Sequence, residues 1–372
     1  MTEPVLTRRQ LNRTTLGRQL LLERTDLEPL AAVEHLVGLQ AQNPLDPYAA
    51  LWSRLDGFTP APLADLLESR ALVRIVVMRG TIHLVSADDA LVLRAMVQPV
   101  LDAELVRHAD HKDHLVDVDL TEPLALARSL MAEQPRSGPQ LRAAFAESFP
   151  DLDAAALVYA CRNHLALVQV PPRGVWGKKL QVTYATTEAW LGRSMDPSPS
   201  VDDVVLRYLA AFGPATVADV AAWSRLTAQG EVLERLRPRL RTYRDENGRE
   251  LFDLADATLV DPDTPAPARF LPEYDNALLS HADRSRFLAP GDDRSFGHID
   301  RAIHGTVLHD GVLAGTWNLA HDAKAATAAL TVDLVTGLPK RAVSSIEAEG
   351  RRFVRFKTDG TAEPTVRVGA PA

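Results

Sequence analysis

Residues 72–85 read LVRIVVMRGTIHLV. β-branched residues lie on both sides of Arg79-Gly80, and two such runs around a Gly turn read as a β-hairpin. What precedes the hairpin has a different period. Leu11, Leu16, Leu20, Leu21 and Leu22 make a helical stripe between Thr7 and Leu22. A second helix is expected from Pro29, a good first-turn residue, to Leu39, and a third over PAPLADLLESRAL (60–72). After the hairpin, SADDALVLRAMV opens with Ser86 and Asp89 in capping-box spacing. Helices followed by a hairpin is the order of a winged helix-turn-helix module.

The same order returns twice. Three helical stretches (122–134, 138–149, 153–164) precede LALVQV (165–170), the wing PPRGVWGKK and LQVTYA (180–185). Beyond a Pro/Ser break at 194–200, three more helices (201–212, 216–226, 230–240) lead to RTYRD and RELFDL joined by ENG, where Asn247-Gly248 is a strong turn pair. After the linker DPDTPAPARF (261–270) the helical period largely disappears. AIHGTVLHDGVLAGTWNL (302–319) reads as a hairpin on Asp310-Gly311, and a single helix is expected near SSIEAEGRRF. The expected fold is α+β: three tandem winged helix-turn-helix modules over 1–115, 116–197 and 198–268, then a small antiparallel β-barrel or sheet over 269–372.

Composition narrows the function classes. With 372 residues, 46% hydrophobic and 24% charged, the chain suits a soluble globular protein of several modules. No run approaches the roughly 18–20 apolar residues that span a bilayer, and the N-terminus lacks a signal-peptide core. One cysteine, Cys161, excludes an intrachain disulfide framework and a cysteine-rich zinc site. His304 and His309 are five apart, on opposite faces of a strand, so no metal site is expected there. There is no HExxH, no P-loop and no dinucleotide-binding glycine motif. No cofactor or metal is expected, and the expected state is a cytoplasmic, nucleoid-associated monomer. The net charge of −8 argues against nucleic acid, but local clusters make phosphate contacts, and RRQLNR (8–13), RGVWGKK (173–179), RLRPRLRTYR (235–244) and RRFVRFK (351–357) are such clusters.

One stretch carries candidate chemistry. HLVGLQAQNPLDPY (35–48) sets Gln40 and Gln42 at the end of an apolar helix, before Pro44 and Pro47. Glutamine does not ionise, so the pair is no acid or base. On residue type alone it caps the helix or holds the Pro-rich turn. Two helical residues at i, i+2 point about 200° apart, so convergence requires Gln42 to leave the helix, and Pro44 favours that.

Taken together, GLQAQNP, MRGTIHLV, LPEYDNALLSHADRSRFL (271–288) and DGVLAGTW (310–317) resemble the winged-helix DNA glycosylase superfamily that includes the AlkZ and YcaQ proteins. The resemblance spans the whole chain. Gln40-Ala41-Gln42 matches the Gln-x-Gln signature of the AlkZ-like branch; the YcaQ-like branch has Asp in the second place. The resemblance implies excision of N7-alkylpurines, bulky adducts and interstrand crosslinks from double-stranded DNA, often as self-resistance to an alkylating natural product. The chemistry is consistent: N7 alkylation makes the base a cationic leaving group that needs no enzyme acid, and positioning a water can supply several kcal/mol, on the order of 7–11 at best.

Around the catalytic candidates Gln40 and Gln42, Asn43, Asp46, Arg79 and His83 are expected to support them or line the channel. Arg173, Trp176, Lys178, Lys179, His309, Arg351 and Arg352 are the candidate DNA contacts, with the hairpin tip at His309 probing the groove opposite the glutamines. Two other readings stand beside this one: a non-catalytic winged-helix DNA-binding protein, acting as a regulator or lesion binder, and a protein that captures the alkylating agent itself.

Overall fold

The structure, a computed structural model, describes residues 3–178, 180–289, 291 and 305–369. The first stretch holds strand β1 (Val5–Leu6), helices α1 (Arg8–Arg18) and α2 (Pro29–His35), strand β2 (Leu39–Gln40), helices α3 (Asp46–Trp52) and α4 (Pro60–Glu68), the hairpin β3 (Leu72–Val76) and β4 (Ile82–Ser86), and helices α5 (Ala87–Met96) and α6 (Gln98–Leu105). Next come α7 (Thr121–Glu133), β5 (Arg136–Ser137), α8 (Gly138–Ser148), α9 (Ala154–His164), β6 (Leu167–Gln169), β7 (Thr183–Thr186) and α10 (Thr187–Leu191). Then follow α11 (Val201–Phe212), α12 (Val217–Ser224), α13 (Gln229–Leu236), β8 (Leu240–Asp245) and β9 (Glu250–Leu254). The last stretch holds β10 (Arg269–Leu271), α14 (Asn276–Leu279), β11 (Gly305–His309), β12 (Val312–Asp322), β13 (Thr327–Leu334), α15 (Lys340–Lys357) and β14 (Glu363–Gly369).

Local chemistry sets many of these boundaries. Ser86, Ser137, Asp153, Ser200 and Thr216 each cap a helix by accepting from a backbone N–H of its first turn, and Ser137 and Thr216 do so within full capping boxes. The hairpin expected at 72–85 is present, with β3 and β4 in antiparallel register from Leu72↔Ser86 to Val76↔Ile82.

Tertiary pairing goes beyond the expected units. The strands of the first two stretches merge into one six-stranded sheet, ordered β2-β4-β3-β6-β7-β5. One apolar core runs from Val73, Ile75 and Val85 through Val168 and Ala185 to Tyr208, Trp223 and Phe252. β1 joins the hairpin of the third stretch, pairing parallel with β8. Helix α1 therefore bridges the third stretch and the C-terminal sheet. Arg18 donates two bonds to the fully buried Asp253 carboxylate at 2.6 and 2.7 Å, and Asn12 Nδ2 donates to the Gly311 carbonyl at 2.8 Å.

Three expectations need correction. The C-terminal sheet, ordered β10-β11-β12-β13-β14, is open and not a barrel, because β10 and β14 stay at its edges. It is also not wholly antiparallel: β14 pairs parallel with β13 after an 18-residue crossover helix, α15, the kind of connection parallel neighbours require. That helix covers far more than the stretch expected and buries Ala342, Ile346, Gly350, Phe353 and Val354. The third correction is the second helix, which ends at His35 and not at Leu39. Val37 and Gly38 turn it off with positive φ values of 54° and 91°.

Candidate functional site

The early helix end brings Gln40 onto a strand. Leu39 pairs with Leu84, and Gln40 pairs with His83. The ladder continues one residue further, as Ala41 N–H donates to the Ile82 carbonyl at 2.8 Å. Gly38 is needed for this approach. A Cβ there would stand 2.6 Å from Val85 Cγ1, and its φ suits glycine. The extended backbone changes the geometry of the motif: Gln40 is the last residue of β2, and the chain leaves helical geometry before it reaches Gln42. Gln40 is buried, whereas Gln42 and Asn43 are exposed in the bend that follows.

Arg79 holds Gln40. It sits in the β3–β4 turn with a φ of 58°, and its side chain turns inward instead of toward solvent. Arg79 Nη2 donates to Gln40 Oε1 at 2.6 Å and to Asn276 Oδ1 at 2.8 Å, and lies 3.4 Å from His83 Nε2. Arginine only donates, so the Gln40 and Asn276 carbonyl oxygens must face it. Asn276 Nδ2 in turn donates to the Gly38 carbonyl at 3.2 Å. Burial lowers the Arg79 pKa to about 10, helped by Arg225 and Arg284 nearby, so the group stays charged at neutral pH. His83 is fully buried, with Nδ1 3.0 Å from the Thr81 carbonyl. Burial, then the Arg79 charge, pushes its pKa down to about 3, so it is a neutral imidazole whose Nε2 lone pair faces Arg79.

A second polar layer lies behind the residue between the glutamines. Arg74 of β3, buried, donates from Nη2 to the Ala41 carbonyl at 2.8 Å. Asp46, the first residue of α3, is buried as well, and its N–H closes the turn onto the Asn43 carbonyl at 3.2 Å. Burial pushes the Asp46 pKa up to about 8, with Glu273 adding to the rise and Lys357 opposing it.

The wing of the second stretch packs onto this layer. Tyr48 Oη donates to the Gly174 carbonyl at 3.0 Å and accepts from Trp176 N–H at 3.1 Å. The Trp176 ring, half-buried, stands 4.9 Å from Tyr48 and 5.4 Å from Phe356, and its Nε1 donates to the Asp359 carboxylate at 3.0 Å.

The structure thus brings Gln40, Arg79 and His83 together, and puts Asp46 just behind the turn that carries Gln42 and Asn43. Other expected residues lie elsewhere. Trp176 is occupied within the fold. Arg173 is half-buried, with Nη1 on the Leu180 carbonyl at 3.1 Å, and the exposed Lys178 reaches Glu68 at 3.1 Å. Lys179 and His304 fall outside the described residues. Arg351 and Arg352 are exposed on α15, where Arg352 pairs with Glu349. Beside His309, Asp310 is held by Arg9 and Arg13, and the Gly311 carbonyl by Asn12, so this turn of the hairpin docks on α1. Among the described residues no group of three or more His, Cys, Asp or Glu could hold a metal ion, and no helix is long and apolar enough to cross a membrane.

Sequence reasoning missed Asn276, Arg74 and Lys357. Asn276 had a signal, since DNALL in 275–279 reads as a capped helix start, and Asp275 does cap it. The role of Asn276 toward Arg79, 197 residues away, left no local mark.

The model of the AlkZ-like family, described as DNA glycosylase AlkZ-like, matches residues 33–356. The chain belongs to the AlkZ-like DNA glycosylase family. It is therefore a DNA-acting glycosylase of DNA repair. A solved structure, the Streptomyces sahachiroi DNA glycosylase AlkZ, superposes with a TM-score of 0.71 at 19% identity, covering 98% of this chain and 100% of that one. At that identity the likeness speaks for the fold. Among curated proteins none matches.

Proposed function

We propose that the chain is a monofunctional glycosylase that hydrolyses the N-glycosidic bond of cationic N7-alkylated purines in double-stranded DNA, bulky adducts and interstrand crosslinks included. In the cell this would serve repair or self-resistance to an alkylating natural product. The observation that carries the reading is the Arg79 bond to Gln40. With its carbonyl oxygen taken, Gln40 has its NH₂ left to offer the site as a donor. The acceptor that holds the attacking water is then the exposed Gln42 amide. One amide donates and the other accepts, which fixes a water without ionisation. His83, neutral, cannot protonate a leaving base, so the leaving group must already carry its charge. Arg173, Lys178, Lys179, Arg351 and Arg352 are proposed to meet phosphates.

The test is incubation with duplexes that carry one N7-alkylguanine, followed by alkaline cleavage at abasic sites. Cleavage at N7-alkylguanine but not at uracil is expected, because uracil departs as an anion that two neutral amides stabilise poorly. Efficient uracil excision would defeat the reading. Tight binding to the lesion without cleavage, unchanged when Gln40 and Gln42 become Ala, would show a non-catalytic binder.

A further inference from the structure

Five buried polar atoms behind the Gln40-Ala41-Gln42 segment find no hydrogen-bond partner among the described residues: Asp46 Oδ2, Arg74 Nε and Nη1, Gln169 Oε1 and Arg173 Nε. They belong together. Arg74 and Gln169 are register partners across β3 and β6. A Cβ on Gly174, next to Arg173, would meet Arg74 Cδ at 3.0 Å and the Pro44 carbonyl at 3.7 Å. The charges of Arg173 and Asp46 both act on Arg74. Buried polar groups are rarely left unpaired, and a cluster offering both donors and acceptors is where ordered water resides. Through Arg74 and the Ala41 carbonyl, this cluster touches the backbone between the two glutamines.

We propose that these residues hold water behind the glutamines and that the Asp46 carboxylate accepts the proton released by the attacking water. The inference rests on the hydrolytic reading above and supplies what that reading lacks, because an amide positions a water but does not take its proton. In the step, an O–H bond of the water breaks and its oxygen bonds to C1′ of the deoxyribose. The C1′–N9 bond breaks, its electron pair passes to the purine, and the base, cationic before, leaves neutral. The proton moves through the held water to Asp46.

The groups packed around Asp46 fit this role. Glu273 and Asp275 before α14 favour its protonated form, and Lys357 at the end of α15 favours the carboxylate. Arg74 on β3 and Arg173 in the wing complete the shell. A pKa of about 8 puts the acceptor close to neutral pH, where a base is most effective.

The test is the single-turnover excision rate of N7-alkylguanine from pH 6 to 10. The wild-type rate should rise about tenfold per pH unit and level off near pH 8, since only the ionised carboxylate accepts a proton. Asp46→Asn should be slower at the plateau by roughly tenfold or more and nearly independent of pH. Infrared spectra give a readout apart from activity. A protonated carboxylic-acid band at neutral pH should fade in wild type through about pH 8 and be missing in Asp46→Asn. A flat wild-type profile, a rate that falls through that range, or an Asp46→Asn profile like wild type with the band unchanged would overturn the proposal. Excision that proceeds in any of those ways leaves the glycosylase reading intact, whereas no excision at any pH removes both.

Discussion

At the scale of single residues, the two glutamines are unequal. Gln40 is buried and held by Arg79, while Gln42 is exposed. Gln42→Ala removes the proposed acceptor, and Gln40→Ala removes the proposed donor. Each should reduce excision by roughly tenfold or more, a loss of about 1.4 kcal/mol or more of transition-state stabilisation, with folding intact. Wild-type rates in both would end the water-positioning idea. Arg79 acts through Gln40, so the two losses should not add. Arg79→Gln alone should slow kcat to a similar degree, and combining it with Gln40→Ala should cost little more, as expected for residues in one hydrogen-bonded unit. A double variant whose loss equals the product of the singles would separate Arg79 from the site. His83 stays neutral down to about pH 3, so its titration should leave no inflection in the rate between pH 5 and 7.

At the scale of elements, Gly38 decides where Gln40 lies. Its positive φ ends α2, and its missing Cβ lets β2 come against β4. Gly38→Ala would place a methyl group against buried Val85 in a strained conformation, at a cost of about 2 kcal/mol. Urea unfolding should show the loss in the midpoint, and excision should fall because the Gln40–His83 pairing shifts. A variant as stable and as active as wild type would remove β2 from the account. The β11–β12 hairpin ties two distant parts of the chain together. Its Asp310-Gly311 turn forms where the sequence pointed, but the tip binds Arg9, Asn12 and Arg13 of α1.

At the scale of the whole molecule, α1 and the shared core join parts that are far apart in the chain. Arg18 pairs with Asp253, and Tyr208 and Trp223 share one core with Val73 and Val168. Arg18→Ala leaves the Asp253 carboxylate buried without its cation, which should cost about 3 kcal/mol. Because the core is continuous, tryptophan fluorescence and far-UV circular dichroism should show the same shifted transition. Two separate transitions would mean that the stretches unfold independently.

The sequence by itself determined helices α4, α5, α7, α8, α9, α11, α12 and α13, the β3–β4 and β8–β9 hairpins, the turn at Asp310-Gly311 and the Gln-x-Gln motif. Each of these is written within a short window, by apolar period, capping residues or turn pairs. It also named Arg79 and His83 beside the glutamines, because all four sit in two short motifs. Tertiary structure alone decided the rest. Whether Gln40 ends a helix or lies on a strand depended on β4 arriving beside Gly38. Arg79 found its partner in Asn276, the charges that act on Asp46 come from the loop before α14 and from α15, and the open form of the last sheet follows from where α15 returned the chain. These are pairings between residues tens to hundreds of positions apart, and local propensity carries no information about which distant group a buried polar atom will meet.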